Sequence, residues 1–142
     1  MKLLLSGNTI AAGNIFRQVV ETIALTFLCS RKGMTYLDRF EADKYSTSDS
    51  LRHVRRNAKN LGLNAAALSA LEVAQKFHNK YSHPSKLTIG IYQSFGGEGI
   101  YVGAAFDPGK QLVYEKEARQ RLKLAKLYPN FLQVVQHNIS AW

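Results

Sequence analysis

The chain has 142 residues, which suits one domain spanning residues 1–142 and leaves no room for two of ordinary size. Hydrophobic residues make up 46% and charged residues 20%, a globular rather than a disordered composition. The single cysteine excludes an internal disulfide framework and any multi-cysteine zinc site. The formal net charge of +9 is spread over both halves of the chain, which favours a polyanionic partner, either nucleic acid or an acidic protein.

The apolar stretches are far shorter than the ~20 residues that a membrane span needs. The opening MKLLLSG has an apolar part too short for the ~7–15-residue core of a signal peptide. Histidine and acidic residues also lack the spacings typical of zinc, calcium or magnesium sites. We therefore expect a cytoplasmic protein that has no membrane segment, binds no metal and carries no cofactor.

The first half of the chain has the apolar spacing of helices. Apolar residues recur at helical intervals over about residues 8–30, and a short helix is predicted within residues 34–50. A second helix is predicted over about residues 49–61 and a third over about residues 65–81. Gly62 can end the former and Asn64 can cap the latter, so this brief connection predicts an antiparallel helical hairpin.

The second half changes its period. Apolar and polar residues alternate on both sides of a glycine-rich turn, which predicts a β-hairpin over about residues 87–106. A fourth helix is predicted over about residues 111–127, with Tyr114, Ala118, Leu122 and Ala125 on its apolar face. Pro129 is expected to break it before a final short helix. The predicted fold is mainly α: a bundle of four to six helices with one inserted β-hairpin.

Basic side chains form two clusters on predicted helix faces. The cluster on the predicted second helix consists of Arg52, Arg55, Arg56 and Lys59. The cluster on the predicted fourth helix consists of Lys116, Arg119, Lys123 and Lys126. Such a run is either an ordinary solvated face or a surface that contacts phosphates and releases their counterions. Several tyrosines are candidates to stack on bases or, alternatively, to pack in the core: Tyr36, Tyr45, Tyr81 and Tyr92.

The string HNKYSH, from His78 to His83, combines groups suited to acid–base chemistry. Two imidazoles near a helix end offer one proton acceptor and one proton donor near neutral pH, and Lys80 can offset charge on a phosphorane-like transition state. These are the groups used in metal-free RNA cleavage. The alternative is that His78 is a packing residue, because helical spacing places it on the apolar face while Asn79 points away.

The same string resembles the motif of HEPN domains, helical bundles whose ribonuclease members carry arginine, four to six further residues and then histidine. Asn79 and His83 match that motif, whereas His78 stands where the arginine would be. The resemblance implies catalytic roles for His78, Asn79 and His83, a homodimer with the motif between protomers, and RNA as substrate. It also implies a toxin–antitoxin or phage-defence role and a cognate antitoxin or other protein partner. HEPN domains without catalytic activity exist as well.

Two functions follow from these patterns. The first is an RNA-directed HEPN-like protein, either a metal-independent endoribonuclease or a derivative that only binds. The second is a non-catalytic interaction module that docks an acidic protein or nucleic acid through its basic helix faces.

Overall fold

The structure is a computed structural model that describes residues 2–81, 86–94, 96, 99–100 and 105–142. Seven α-helices occur in these residues: α1 (Lys2–Leu5), α2 (Thr9–Cys29), α3 (Tyr36–Glu41), α4 (Ser50–Asn57), α5 (Ala65–His78), α6 (Lys86–Gly90) and α7 (Gln111–Ser140). Three single 3₁₀ turns accompany them: Thr47–Asp49, Asn79–Tyr81 and Pro108–Lys110. The described part of the chain contains no sheet, and the predicted helical-bundle class is confirmed.

Helix α2 lies at the centre of the bundle, because apolar residues occupy most of its circumference. It packs against α4 and α5 and also contacts α7. Its buried face carries Val20, Ile23, Ala24, Phe27 and Leu28. The rest of the main core comes from the helices around it and the turn after α4: Leu51, Val54, Leu61, Leu71, Ala74 and Leu124. Burial of such side chains contributes roughly 1.5–3 kcal/mol each to folding.

Helices α4 and α5, for which an antiparallel hairpin was predicted, contact each other and are joined by residues 58–64. Gly62 takes a φ of +68°, a conformation that side chains with a Cβ rarely adopt, and so turns the chain past the end of α4. The side chain of Asn64 then accepts a hydrogen bond of 2.8 Å from the backbone N–H of Ala67 and caps α5. The local signals read from the sequence therefore set this connection.

The prediction of an inserted β-hairpin over about residues 87–106 was wrong for the residues that the structure describes. Helix α6 occupies the start of the predicted first strand, and among the described residues of the segment the strand pairing is one antiparallel bridge between Gln93 and Ile100. Ile89 and Ile100 are both exposed, so these two described apolar residues bury no surface that would stabilise a two-stranded hairpin. Residues 95, 97–98 and 101–104 of the prediction lie outside the described residues.

The predicted break at Pro129 was also wrong, because α7 runs continuously from Gln111 to Ser140. Proline lacks the N–H that would bond to the carbonyl of Ala125 and normally disfavours a helix interior. Here the turns beyond the proline pack onto the core through Phe131 and Val134. That burial outweighs the lost hydrogen bond and keeps the helix in one piece.

Candidate functional site

His78 lies at the last turn of α5 and has no exposed surface, which confirms its predicted place on the apolar face. Its Nδ1 donates a hydrogen bond of 2.8 Å to the backbone carbonyl of Ala74, one turn earlier. Its Nε2 faces the carboxylate of Glu117 on α7, 3.5 Å from Oε2. The histidine therefore joins two helices inside the bundle.

Glu117 is the centre of this buried polar cluster. Its carboxylate accepts hydrogen bonds from the Tyr81 hydroxyl and the Arg121 guanidinium. Burial tends to raise the pKa of Glu117, but the nearby ring of His78, the hydrogen bonds from Tyr81 and Arg121, and the charge of Arg121 outweigh it and hold that pKa below its usual value. Burial, and then the hydrogen bond to Glu117, raise the pKa of Tyr81. The cluster therefore contains a carboxylate with charge-assisted partners.

Aromatic rings close the cluster on its remaining sides. The ring centroid of Phe16 on α2 lies 4.4 Å from that of His78, and the ring centroid of Phe77 lies 4.9 Å from that of His78. The guanidinium of Arg121 sits over Phe16 at 5.2 Å. Gly13 on α2 admits the ring of Tyr81, since a Cβ there would lie only 2.4 Å from its Cγ. Side chains from α2, α5 and α7 thus enclose His78.

The enclosure bears on the chemistry of His78. A general acid or base must come within hydrogen-bond reach of the atom whose proton it moves. The structure places His78 in the interior and Asn79 on the exposed side of the next turn, so it does not bring them to a common surface. Asn79 and Lys80 each take part in further interactions of their own. His83 lies outside the described residues.

Hydrophobic periodicity predicted only part of the buried face of α7: Tyr114 is buried and Ala118 packs beside it, as expected. Leu122 and Ala125, predicted to point inward, are exposed, while Glu117 and Leu124 are buried and Arg121 is nearly so. The buried face of α7 is therefore rotated about the helix axis relative to the predicted one, and the ion pair of Glu117 and Arg121 lies at its middle. The one signal in the sequence was the four-residue spacing of Glu117 and Arg121, which is typical of helical ion pairs.

All of the basic residues singled out in the sequence are exposed: Arg52, Arg55 and Arg56 on α4 and Lys59 in the turn after it; Lys116, Arg119, Lys123 and Lys126 on α7. The structure brings the two sets to opposite edges of one helix, α5. Arg55 reaches Glu72 of α5 at 3.6 Å, and Lys116 lies over the ring of Phe77 of α5 at 5.6 Å.

The solvent face of α5 lies between these two edges. Helical geometry places Glu72 and Phe77 about 70° to either side of its centre. That face carries Lys76, which is exposed, and Ser69 and Val73 line a groove shared with Lys123 of α7. Cations from three helices therefore border one continuous surface. We call it the basic surface, defined by the eight residues above together with Lys76, whose contribution the sequence did not indicate.

Three of the arginines on the basic surface have acidic neighbours. Arg52 pairs with Asp49 at 3.1 Å, and Arg119 pairs with Glu115 at 2.8 Å. Arg55 has the looser pairing with Glu72 described above. Within the described part of the chain, the other members of the surface form no ion pair: Arg56, Lys59, Lys76, Lys116, Lys123 and Lys126. Exposed ion pairs are worth roughly 0–1 kcal/mol, so a phosphate can displace the paired ones as well.

Comparison of the chain with protein-family models, curated proteins and solved structures finds no significant match. The helices in the described ranges include none that is both long and apolar enough to cross a membrane. Those same residues bring together no group of three histidine, cysteine or acidic side chains able to hold a metal ion.

Proposed function

We propose that the protein binds RNA by contacting phosphates through the basic surface over α4, α5 and α7. The observation that carries this proposal is the convergence of the two basic clusters on one helix: Arg55 and Lys116 contact its opposite edges, at Glu72 and Phe77. A surface with several separated cations can contact several of the regularly spaced phosphates of an RNA chain at once.

Binding, rather than cleavage, is the function we assign to this surface. The ribonuclease hypothesis rests on the resemblance of the His78–His83 string to HEPN domains, and it requires His78 to reach the reacting phosphate. His78 has no exposed surface and already contacts Ala74 and Glu117. The proposed function is therefore that of an RNA-directed, HEPN-like protein in its non-catalytic form. A role in toxin–antitoxin or phage defence, with a cognate protein partner, remains a prediction from the resemblance alone.

The test is the affinity for a fluorescently labelled single-stranded RNA, measured by anisotropy over a series of salt concentrations. Each phosphate contact should contribute a log–log slope of about −0.7. Lys116→Glu combined with Lys123→Glu should weaken binding to all RNA sequences alike and make the slope shallower. Arg55→Glu combined with Arg56→Glu should act in the same way from the other edge of α5.

A matched control changes the net charge equally at another place. Arg31 and Lys32 lie in the turn after α2, where the indole of Trp142 donates to the carbonyl of Ser30. Arg31→Glu combined with Lys32→Glu should leave the salt slope unchanged. A flat salt response of the wild type, or equal losses in the control and the test variants, would contradict the proposal. Competition by an acidic peptide but not by RNA would favour the acidic-protein alternative.

A further inference from the structure

Three half-buried rings meet beside the α4 edge of the basic surface. The ring centroids of Tyr36 and Tyr45 are 5.4 Å apart, and those of His53 and Tyr36 are 5.3 Å apart. The third side of the triangle, from Tyr45 to His53, measures 5.5 Å. We call these three residues, from α3, the loop before α4 and α4 itself, the aromatic triangle.

Hydrogen bonds fix the rings in place. The Tyr45 hydroxyl and Nδ1 of His53 share a hydrogen bond of 2.8 Å, and the amide of Asn57 donates to the Tyr36 hydroxyl at 3.3 Å. The two tyrosines also pack against the edge of the core. Because both rings are already held in place, stacking of a base on them would lose little side-chain conformational entropy.

Arginines surround the aromatic triangle. The guanidinium of Arg39 lies 5.4 Å from the centroid of the Tyr45 ring. Arg52 and Arg56 lie on α4 one residue before and three residues after His53, and both are exposed. Burial, and then the charge of Arg52, lower the pKa of His53; Asp49 opposes them in part, and Arg56 and Arg39 lower the pKa by smaller amounts. Together these effects favour the neutral form of the His53 ring, which lies among cations.

We propose that the aromatic triangle stacks against an unpaired base of single-stranded RNA, while Arg39, Arg52 and Arg56 hold the adjacent phosphates. This inference rests on the proposed function and adds the form of RNA that is bound. Bases in a duplex have their faces covered by neighbouring pairs, whereas an unpaired base offers its face to a protein ring. A surface that is only basic would bind any polyanion. Aromatic rings next to arginines favour a polyanion that also carries bases, because the bases can stack on the rings.

The experiment compares two ligands that share one backbone. An oligoribonucleotide and its abasic counterpart of equal length present the same phosphates, and only the former can stack. Wild type should bind the base-containing strand at least about five-fold more tightly, because one stacked base contributes roughly that factor or more. The affinity for RNA duplex should resemble that for the abasic strand.

Variants locate the effect. Tyr36→Leu and Tyr45→Leu keep apolar bulk against the core but remove the aromatic face. Each should bring the affinity for the base-containing strand towards that for the abasic one while leaving the salt slope unchanged. Tyr128→Leu is the control, since Tyr128 is a tyrosine on α7 that is more exposed than Tyr36 and Tyr45, and its ring centroid lies 5.4 Å from that of Phe131. It should keep the full preference.

If a leucine variant does not fold, NMR of the wild-type protein can test the stacking instead. Ring protons of Tyr36, Tyr45 and His53 should shift upfield with the base-containing strand and not with the abasic one. Equal affinity of wild type for the two strands, or retained preference in folded Tyr36→Leu and Tyr45→Leu, overturns this inference and leaves the proposed function standing. Failure of wild type to bind either strand overturns both.

Discussion

Tyr81, in the 3₁₀ turn that follows α5, donates its hydroxyl hydrogen to the buried carboxylate of Glu117 on α7, 36 residues later in the chain. The contact joins the C-terminal end of α5 to α7, the last helix of the bundle. Neither residue would be stable alone in this position, because a buried carboxylate or hydroxyl without a partner is costly. The two helices therefore dock in the one arrangement that satisfies both groups.

Glu117→Gln should lower the free energy of unfolding at neutral pH by on the order of 3 kcal/mol, because it leaves the nearly buried Arg121 without its anionic partner. The pKa of Glu117 is depressed in the folded state, so its contribution is fully present above the unfolded value near 4.5 and disappears as the pH falls through the folded value. Urea denaturation across this range should show wild type losing stability on acidification and approaching the variant.

The control is Glu115→Gln, two residues earlier on the same helix. Glu115 is hydrogen-bonded by Gln111 and Arg119 on the surface, and these hydrogen bonds lower its pKa. Exposure to water makes its ion pair with Arg119 weak, so this substitution should change stability little. If Glu117→Gln and wild type had the same stability at pH 7, the buried charge would have no stabilising role.

Gly13→Ala should destabilise the fold by about 1–3 kcal/mol, the usual cost of overpacking. The new Cβ would lie 2.4 Å from Cγ of Tyr81, and the ring cannot move away without breaking the hydrogen bond between the Tyr81 hydroxyl and Glu117. Alanine's better helix propensity returns only about 1 kcal/mol. Gly90→Ala is the control, since no atom lies within 4 Å of its added Cβ. Thermal unfolding should separate the two, and equal melting temperatures would refute the close approach of Tyr81.

His78→Ala should cost about 2–5 kcal/mol, because it empties a fully buried site. His78→Arg should also destabilise, since it places a second guanidinium beside Arg121 on one buried carboxylate. We expect no RNA cleavage in the presence of a chelator from wild type or from either variant, as followed on a labelled RNA by gel. Cleavage by wild type that His83→Ala abolishes without loss of fold would instead support the ribonuclease hypothesis.

Pro129→Ala tests the continuity of α7. Alanine supplies the N–H that the carbonyl of Ala125 lacks and removes a ring that disfavours a helix interior by about 3 kcal/mol. The greater freedom of the unfolded chain offsets up to about 1 kcal/mol of this gain. We therefore expect a higher melting temperature. Pro108→Ala, at the start of a 3₁₀ turn where proline is favoured, should give no gain. A broken helix at Pro129 would make the two variants behave alike.

A symmetric homodimer is predicted from the apolar side chains on the solvent face of α2. Ile15 and Val19, one turn apart, are 52% and 41% exposed, which is unusual for neighbouring large apolar residues on a central helix. Light scattering should report a dimer at micromolar concentrations, and Val19→Lys should convert it to a monomer with unchanged helix content. Leu132→Lys, at an exposed position on α7, should leave the dimer intact. A monomeric wild type would contradict the prediction.

Local features of the sequence were sufficient for much of the bundle. The period of the apolar residues located α2 and directed His78 inward, since both depend on neighbours within a few turns. Gly62 and Asn64 ended one helix and began the next through backbone conformation and a single side-chain hydrogen bond. Exposure of the basic clusters also followed, because solvation of a charge on a helix face needs no distant partner.

Tertiary structure alone decided the remainder. Glu117 is buried because residues far along the chain supply its hydrogen bonds, and no periodicity of hydrophobic residues encodes that. The continuation of α7 through Pro129 depends on core contacts of the turns beyond it, which outweigh the local preference of proline. Arg55 and Lys116 reach opposite edges of α5 only because three helices pack side by side. Local rules describe one helix at a time, whereas the free energy that settles these features arises between helices.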